Sequence, residues 1–178
     1  MLRVTDTTVL TTPAAPAVPW TRWLWISVAV IVLDQVTKVA ILATFRVGEE
    51  VPITSFFSLV LAFNTGAAFS FLAGAAGWQR WLFTLIAVVA CALMLWLLKR
   101  GGSRLYCTGL ALIVGGALGN LFDRLVLGHV VDFLLFHWRD WHYPAFNVAD
   151  SAITCGAVAL IIDSFRQRRV EPAAGEDR

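Results

Sequence analysis

Four long apolar stretches, separated by more polar connections, dominate the pattern of hydrophobic and polar positions along the chain. They lie at about Trp23–Ala43, Trp81–Leu98, Leu105–Val126 and Val148–Phe165. Each has roughly the 17–25 residues that an α-helix needs to cross the hydrocarbon core of a bilayer. The pattern therefore predicts four membrane-spanning helices, and no repeat is evident between them.

A different pattern marks the connection between the first two spans. From Phe57 to Asn64, every second residue (Phe57, Leu59, Leu61 and Phe63) is large and apolar, and Ser58 and Asn64 fall on the other face, which is typical of a half-buried strand. The segment Gly66–Gly77 is rich in small and aromatic residues and is followed by Trp78 and Trp81, a composition that favours a short helix in the membrane interface. We therefore predict a membrane all-α fold whose four spanning helices carry a small extracytoplasmic β-sheet and an interfacial helix.

The distribution of basic residues predicts the orientation of the spans. Nine Lys and Arg residues fall on one side of the predicted bundle and four on the other. Because cytoplasmic segments carry the excess of Lys and Arg, both termini should be cytoplasmic. The connections Thr44–Arg80 and Leu127–Asn147 should then face outward.

The same reading divides the chain into three parts. Residues 1–19 have no apolar core of the kind a signal peptide needs, and we interpret them as a disordered cytoplasmic tail. Residues 20–167 form a single membrane domain, and residues 168–178 form a second cytoplasmic tail.

Composition excludes several function classes. Hydrophobic residues make up 58% of the chain and charged residues only 15%, against about 25% charged in a soluble domain. The net charge of +2 comes without a basic stripe, so we expect no nucleic-acid partner. The three cysteines lack CxxC spacing and the three histidines lack an HExxH arrangement, so we expect no metal and no cofactor.

Ionisable residues within spans are costly and need a reason. Asp34 and Lys38 are four residues apart in the first span, so they lie on one helix face and can pair. We interpret them as a buried ion pair that fixes helix packing, with direct contact to a substrate as the alternative.

The end of the third span carries Asn120, Asp123 and Arg124 within one helical turn. A nearby amide and a nearby cation favour the charged form of Asp123. We interpret Asp123 as a structural or orienting carboxylate that pairs with Arg124. Asp34→Asn and Asp123→Asn should then each leave a cation, Lys38 or Arg124, without its carboxylate.

Two further aspartates, Asp132 and Asp150, have no cation within four residues in sequence. Both lie in apolar surroundings at the outer ends of the third and fourth spans. Asp150 can be explained as a first-turn acid stabilised by the helix dipole, and Asp132 as an interfacial carboxylate. Catalysis by the two together is the alternative.

Five motifs together resemble those of the bacterial lipoprotein signal peptidases, also called signal peptidase II. They occur in the family's order over residues 34–152, on the family's four-helix plan. The motifs are Asp34–Lys38, Asn64–Ser70, Gly116–Arg124, Val130–Phe133 and Phe146–Ala152.

The resemblance implies an endopeptidase of the bacterial plasma (inner) membrane with its active site near the outer leaflet. Its substrates would be lipid-modified prolipoproteins, cut just before a cysteine that carries diacylglycerol. The implied catalytic residues are Asp132 and Asp150. The implied supporting or substrate-binding residues are Asp34, Lys38, Asn64, Gly66, Asn120, Asp123, Arg124 and Asn147. Membrane lipid would be a partner, and the enzyme would act as a monomer.

The chemistry that this implies is that of two carboxylates sharing a proton, one activating water and the other protonating the leaving amine. A transporter or channel subunit is the rival class, since charged residues at membrane depth also mark ion paths. Transporters usually show internal repeats, which this chain lacks. A second rival is an assembly factor that binds a partner helix through the small residues of the third span.

Overall fold

The computed structural model describes residues 19–65 and 78–170, which include four long helices. All four are long and apolar enough to cross a membrane, so the four predicted spans are confirmed. A short 3-10 turn, Trp20–Trp23, precedes the first. The helices are α1 Leu24–Thr44, α2 Trp78–Arg100, α3 Arg104–Val126 and α4 Val148–Val170.

The helix ends differ from the predicted ones mainly in α2 and α4. Helix α2 begins at Trp78 and α4 continues to Val170, beyond the purely apolar stretches, because interfacial and basic residues can extend a helix into the headgroup region. The predicted interfacial helix at Gly66–Gly77 lies outside the described residues, as do nearly all residues of the two predicted tails.

Small residues bring α3 close to α1 and α4. A Cβ atom added to Gly109 would lie 2.9 Å from the carbonyl oxygen of Gly156, and one added to Gly156 would lie 2.6 Å from that of Gly109. On another side, a Cβ atom at Gly115 would lie 2.9 Å from the Ser27 backbone. The small residues of α3 therefore pack within the bundle, where they allow backbones to approach.

An antiparallel sheet lies at the end of the bundle where α1 and α3 end and α4 begins, with strand order β1-β2-β3-β4. The strands are β1 Glu50–Thr54, β2 Phe57–Asn64, β3 Val130–Trp138 and β4 Trp141–His142. The prediction of β2 is confirmed. Strand β3 was not predicted, because its first half is buried on both faces and its sequence is an apolar run, interrupted by Asp132, without alternation.

Packing between helix and sheet fixes the position of β3. The buried side chains of Ile41, Leu61, Val131 and Phe133 form one cluster that joins the C-terminal end of α1 to β2 and β3. In the pairing of β2 with β3, Ala62 is opposite Asp132. The sheet thus places Asp132 at the junction of the sheet and the bundle.

Candidate active site

A cluster of three buried charges lies between α1 and α3. The Lys38 ammonium is 2.7 Å from Oδ2 of Asp34 and 2.8 Å from Oδ2 of Asp123. It also donates to Oδ1 of Asn120 at 3.1 Å, so three acceptors match its three N–H groups. Lys38 is only 2% exposed, as is Asp123, and Asp34 is 0% exposed. The predicted Asp34–Lys38 pair is therefore one half of a larger cluster.

Each carboxylate of this cluster also accepts a backbone N–H from outside its own helix. Oδ1 of Asp34 accepts from the amide of Ala149 at 2.9 Å, and Oδ2 of Asp123 accepts from the amide of Val131 at 3.2 Å. Ala149 directly precedes Asp150, and Val131 directly precedes Asp132. The ion cluster thus fixes the chain beside both of the aspartates that lack a cation in sequence.

Asn147 connects those two aspartates directly. Its Oδ1 accepts from the backbone amide of Asp150 at 2.9 Å, which caps the N-terminus of α4. Its Nδ2 donates to Oδ1 of Asp132 at 2.8 Å. The backbone amide of Asn147 donates to Oδ2 of Asp150 at 3.3 Å, which completes a reciprocal capping arrangement. One buried residue therefore contacts both carboxyl groups.

Asn120 joins the pair of aspartates to the ion cluster. Its Nδ2 donates to Oδ1 of Asp150 at 2.7 Å. Its Oδ1 accepts from Lys38 and also from Nδ2 of Asn147 at 3.1 Å. Because Lys38 and Asn147 both donate to this oxygen, the orientation of the amide is determined, and the NH₂ group must face Asp150.

Burial makes Asp132 a weak acid. Its side chain is 3% exposed, and burial, together with the nearby charge of Asp150, raises its pKa to about 7. Hydrogen bonds from Asn64 and Asn147 oppose this shift. Two carboxyl groups in such surroundings do not both ionise easily, so near neutral pH the pair can hold one proton between them.

The predicted pairing of Asp123 with Arg124 is wrong. Neighbouring residues on a helix do not face each other, and Asp123 pairs with Lys38 instead. Within the described residues, Arg124 Nη1 donates to the backbone oxygen of Asn120 at 3.4 Å, and its guanidinium lies 5.4 Å from the centre of the Phe83 ring.

The sequence reasoning missed Gln35. Its Nε2 donates to Oδ1 of Asp123 at 2.9 Å, which satisfies the oxygen that Lys38 does not reach. A polar residue beside Asp34 in an apolar span was the available signal. No sequence signal marks the backbone N–H groups of Val131 and Ala149 as functional, because every residue except proline has a backbone N–H group. Asn64 lies where it can hydrogen-bond to Asp132, and Gly66 lies outside the described residues.

No group of three or more His, Cys, Asp or Glu side chains among residues 19–65 and 78–170 is arranged to hold a metal ion. The carboxylates near the site are already engaged by Lys38, by amides and by backbone N–H groups. Activity without a metal stays a prediction.

Comparison with known proteins gives consistent matches. A family model described as signal peptidase (SPase) II matches residues 26–166. A lipoprotein signal peptidase of Ralstonia nicotianae is 64% identical over 148 residues, which cover 83% of this chain and 86% of the relative. One of Burkholderia cenocepacia is 57% identical over 161 residues, covering 90% and 96%.

Solved structures show the same fold. A bacterial membrane enzyme determined by the in meso method at 2.3 Å resolution has a TM-score of 0.75 and 27% identity, covering 89% of this chain and 95% of that one. A second, at 1.9 Å resolution, has a TM-score of 0.71 and 30% identity, covering 80% and 91%.

The ion cluster generates a prediction about stability. Lys38→Met should lower the free energy of unfolding by about 3–5 kcal/mol, because it leaves two buried carboxylates without their cation. Thermal unfolding in detergent measures the change. Lys99→Met, at the exposed cytoplasmic end of α2 by the predicted orientation, is the matched control and should have a much smaller effect. Equal melting temperatures for the two variants would contradict the role of the cluster.

Proposed function

The chain belongs to the signal peptidase II family, and we propose that Asp132 and Asp150 are the catalytic pair of this lipoprotein signal peptidase. As a member of that family it removes signal peptides from prolipoproteins. The observation that carries the proposal is Asn147, a fully buried residue that contacts both carboxyl groups, that of Asp132 through its side-chain Nδ2 and that of Asp150 through its backbone N–H. Asp34, Lys38, Asn64, Gly66, Asn120, Asp123, Arg124 and Asn147 support the pair or contact the substrate.

The surroundings of the two carboxyl groups favour different roles. Asp150 lies in the first turn of α4, where the helix dipole stabilises negative charge, and it accepts from Asn120 and from the Asn147 amide. Asp132, with a pKa of about 7, keeps a proton more readily near neutral pH. We therefore assign Asp150 as the base and Asp132 as the acid.

The reaction then needs no other group. Asp150 takes a proton from a water molecule, and the water oxygen attacks the scissile carbonyl carbon while Asp132 donates a hydrogen bond to the carbonyl oxygen. As the C–N bond breaks, the leaving amine takes a proton from the pair. The products are the two peptide fragments, and the pair again holds one proton.

The substrate is cut just before a cysteine that carries diacylglycerol, and its acyl chains position it. Each buried methylene contributes on the order of 0.8 kcal/mol, so two acyl chains outweigh most polar contacts. Exposed apolar side chains at the outer end of α3, including Phe122 and Leu125, lie beside the turn that carries Asn120 and Asp123. Both carboxyl groups of the pair come from one chain, so one chain suffices for catalysis, and we propose that the enzyme acts as a monomer within the membrane.

The catalytic pair can be tested by two isosteric substitutions. Asp132→Asn and Asp150→Asn should each slow cleavage of a diacylglyceryl-modified precursor by at least about 10²–10⁴-fold, because asparagine cannot exchange the proton. Both variants should stay folded. Glu50→Gln, at an exposed position of β1, is the control and should keep full activity. Full activity of either Asp variant would refute the mechanism.

The pH dependence follows from the raised pKa of Asp132. Cleavage should slow as the pH rises through about 7, because Asp132 loses the proton that the reaction needs. The rate constant measured from about pH 5 to about pH 9 tests this. A rate that increases steadily across that range would contradict the assignment of Asp132 as the acid.

The stability of the fold, like the cleavage rate, should decrease as the pH rises. A carboxyl group whose pKa is raised on folding stabilises the fold fully below its unfolded pKa of about 3.9, and this contribution is lost as the pH rises to about 7. The melting temperature should therefore fall over that window, and it should fall less in Asp132→Asn. An identical pH dependence in the two proteins would show that Asp132 is not the group responsible.

The orientation remains a proposal that rests on nine basic residues against four. Both termini are cytoplasmic, and the catalytic pair faces the outer leaflet. Reporter domains fused after Arg169 should be active only in the cytoplasm, and reporters inserted within Leu127–Tyr143 only outside. An externally active reporter after Arg169 would overturn the orientation without affecting the assignment of the catalytic pair.

A further inference from the structure

The hairpin formed by β3 and β4 ends in large aromatic side chains that are exposed. Trp138 is 66% exposed, Trp141 61% and Tyr143 50%. Trp138 and Trp141 are paired directly across the hairpin, and only Arg139 and Asp140 separate them. Large exposed aromatic groups clustered at one tip are unusual on a surface that faces water, and they mark an interaction surface.

The two faces of this hairpin differ in chemistry. Side chains alternate between the faces of a strand, so Phe136 and Trp138 share one face with Trp141 and Tyr143. The opposite face carries His137 and His142, whose rings stack 5.6 Å apart, and His137 is hydrogen-bonded to Ser58. The hairpin is therefore amphipathic, with an aromatic face and an imidazole face.

The aromatic face continues to the start of α4. The ring centres of Trp141 and Tyr143 are 6.1 Å apart, those of Tyr143 and Phe146 are 6.0 Å apart, and those of Phe146 and Phe136 are 5.8 Å apart. Phe146 lies two residues before the first residue of α4, Val148, and α4 is one of the four spans. The exposed rings are thus continuous with the end of a membrane span.

The tip of the hairpin lies close to the end of that span. Leu134 is opposite Phe146, and Trp138 lies four residues further along β3, or about 13 Å at about 3.3 Å per residue. Where a span ends at the membrane surface, Trp and Tyr are enriched, because their rings are apolar at one end and polar at the other.

We propose that this hairpin docks on the surface of the lipid bilayer, with Trp138, Trp141 and Tyr143 in the outer headgroup region. Continuity of the aromatic face with a spanning helix favours lipid over a second protein chain. The imidazole face then points away from lipid, and the charged turn at Arg139 and Asp140 lies among the polar lipid headgroups. The choice of the outer leaflet rests on the orientation proposed above, whereas the docking itself does not.

A fluorescence experiment tests the docking. A fluorophore on Asp140→Cys, in a Cys155→Ser background because Cys155 is the exposed cysteine of the described chain, is placed in phosphatidylcholine liposomes. A nitroxide on the lipid headgroup should quench it strongly, and iodide in the buffer should quench it weakly. Full quenching by iodide with none by the lipid nitroxide would overturn the proposal.

Two pairs of substitutions separate the aromatic side chains from the fold of the hairpin. Trp138→Thr with Trp141→Thr keeps strand propensity and should shift quenching from the lipid nitroxide to iodide. Trp138→Tyr with Trp141→Tyr keeps amphipathic rings and should retain lipid quenching. Lipid quenching that persists unchanged in the Thr variant would overturn the role of the tryptophans. Quenching requires no turnover, so its outcome is independent of the catalytic assignment.

Cleavage assays distinguish lipid from peptide as the occupant of this surface. If the hairpin docks on lipid, the Thr variant should lose activity in liposomes and keep it in detergent. An equal loss in both media would mean that the hairpin contacts the substrate peptide, which would overturn the proposal.

Discussion

The buried ion cluster around Lys38 is the interaction on which the arrangement of the candidate site depends. Two carboxylates and one ammonium are removed from water, which is expensive unless every donor and acceptor is satisfied. Here Asp34 and Asp123 use their remaining capacity on the backbone amides of Ala149 and Val131. The cost of burying charge is thereby offset by bonds that position the two segments carrying Asp150 and Asp132.

The side-chain amides of Asn120 and Asn147 connect this cluster to the carboxyl groups of Asp150 and Asp132, whose surroundings differ. Asn120 and Asn147 add donors and acceptors without adding charge, so they orient the pair and leave it able to share a proton. This difference arises from location. Asp150 belongs to a helix N-terminus, which favours negative charge, whereas Asp132 lies on a strand among buried apolar neighbours, where its pKa is raised to about 7.

The spans, strand β2 and the candidate site residues could be predicted from the sequence. The signals are local ones: the length of an apolar stretch, the period-two spacing of apolar residues, and polar groups at membrane depth. Sequence reasoning paired Asp123 with Arg124 incorrectly, since proximity in sequence is not proximity on a helix face. It did not anticipate that Lys38 would contact both Asp34 and Asp123, because that contact requires α1 and α3 to approach at Gly115. The hydrogen bonds that the backbone amides of Val131 and Ala149 donate to Asp123 and Asp34 could not be predicted from residue type.

The Lys38 cluster should hold the segments that carry Asp132 and Asp150 in place through the backbone amides of Val131 and Ala149. Residue-resolved hydrogen exchange, measured in wild type and Lys38→Met below the melting temperature of both, reports on these two amides individually. The amide of Phe133, which donates to the Phe146 carbonyl, serves as the internal reference. We expect exchange at Val131 and Ala149 to accelerate in the variant much more than exchange at Phe133. Unchanged protection of both amides, or equal acceleration at all three, would contradict it.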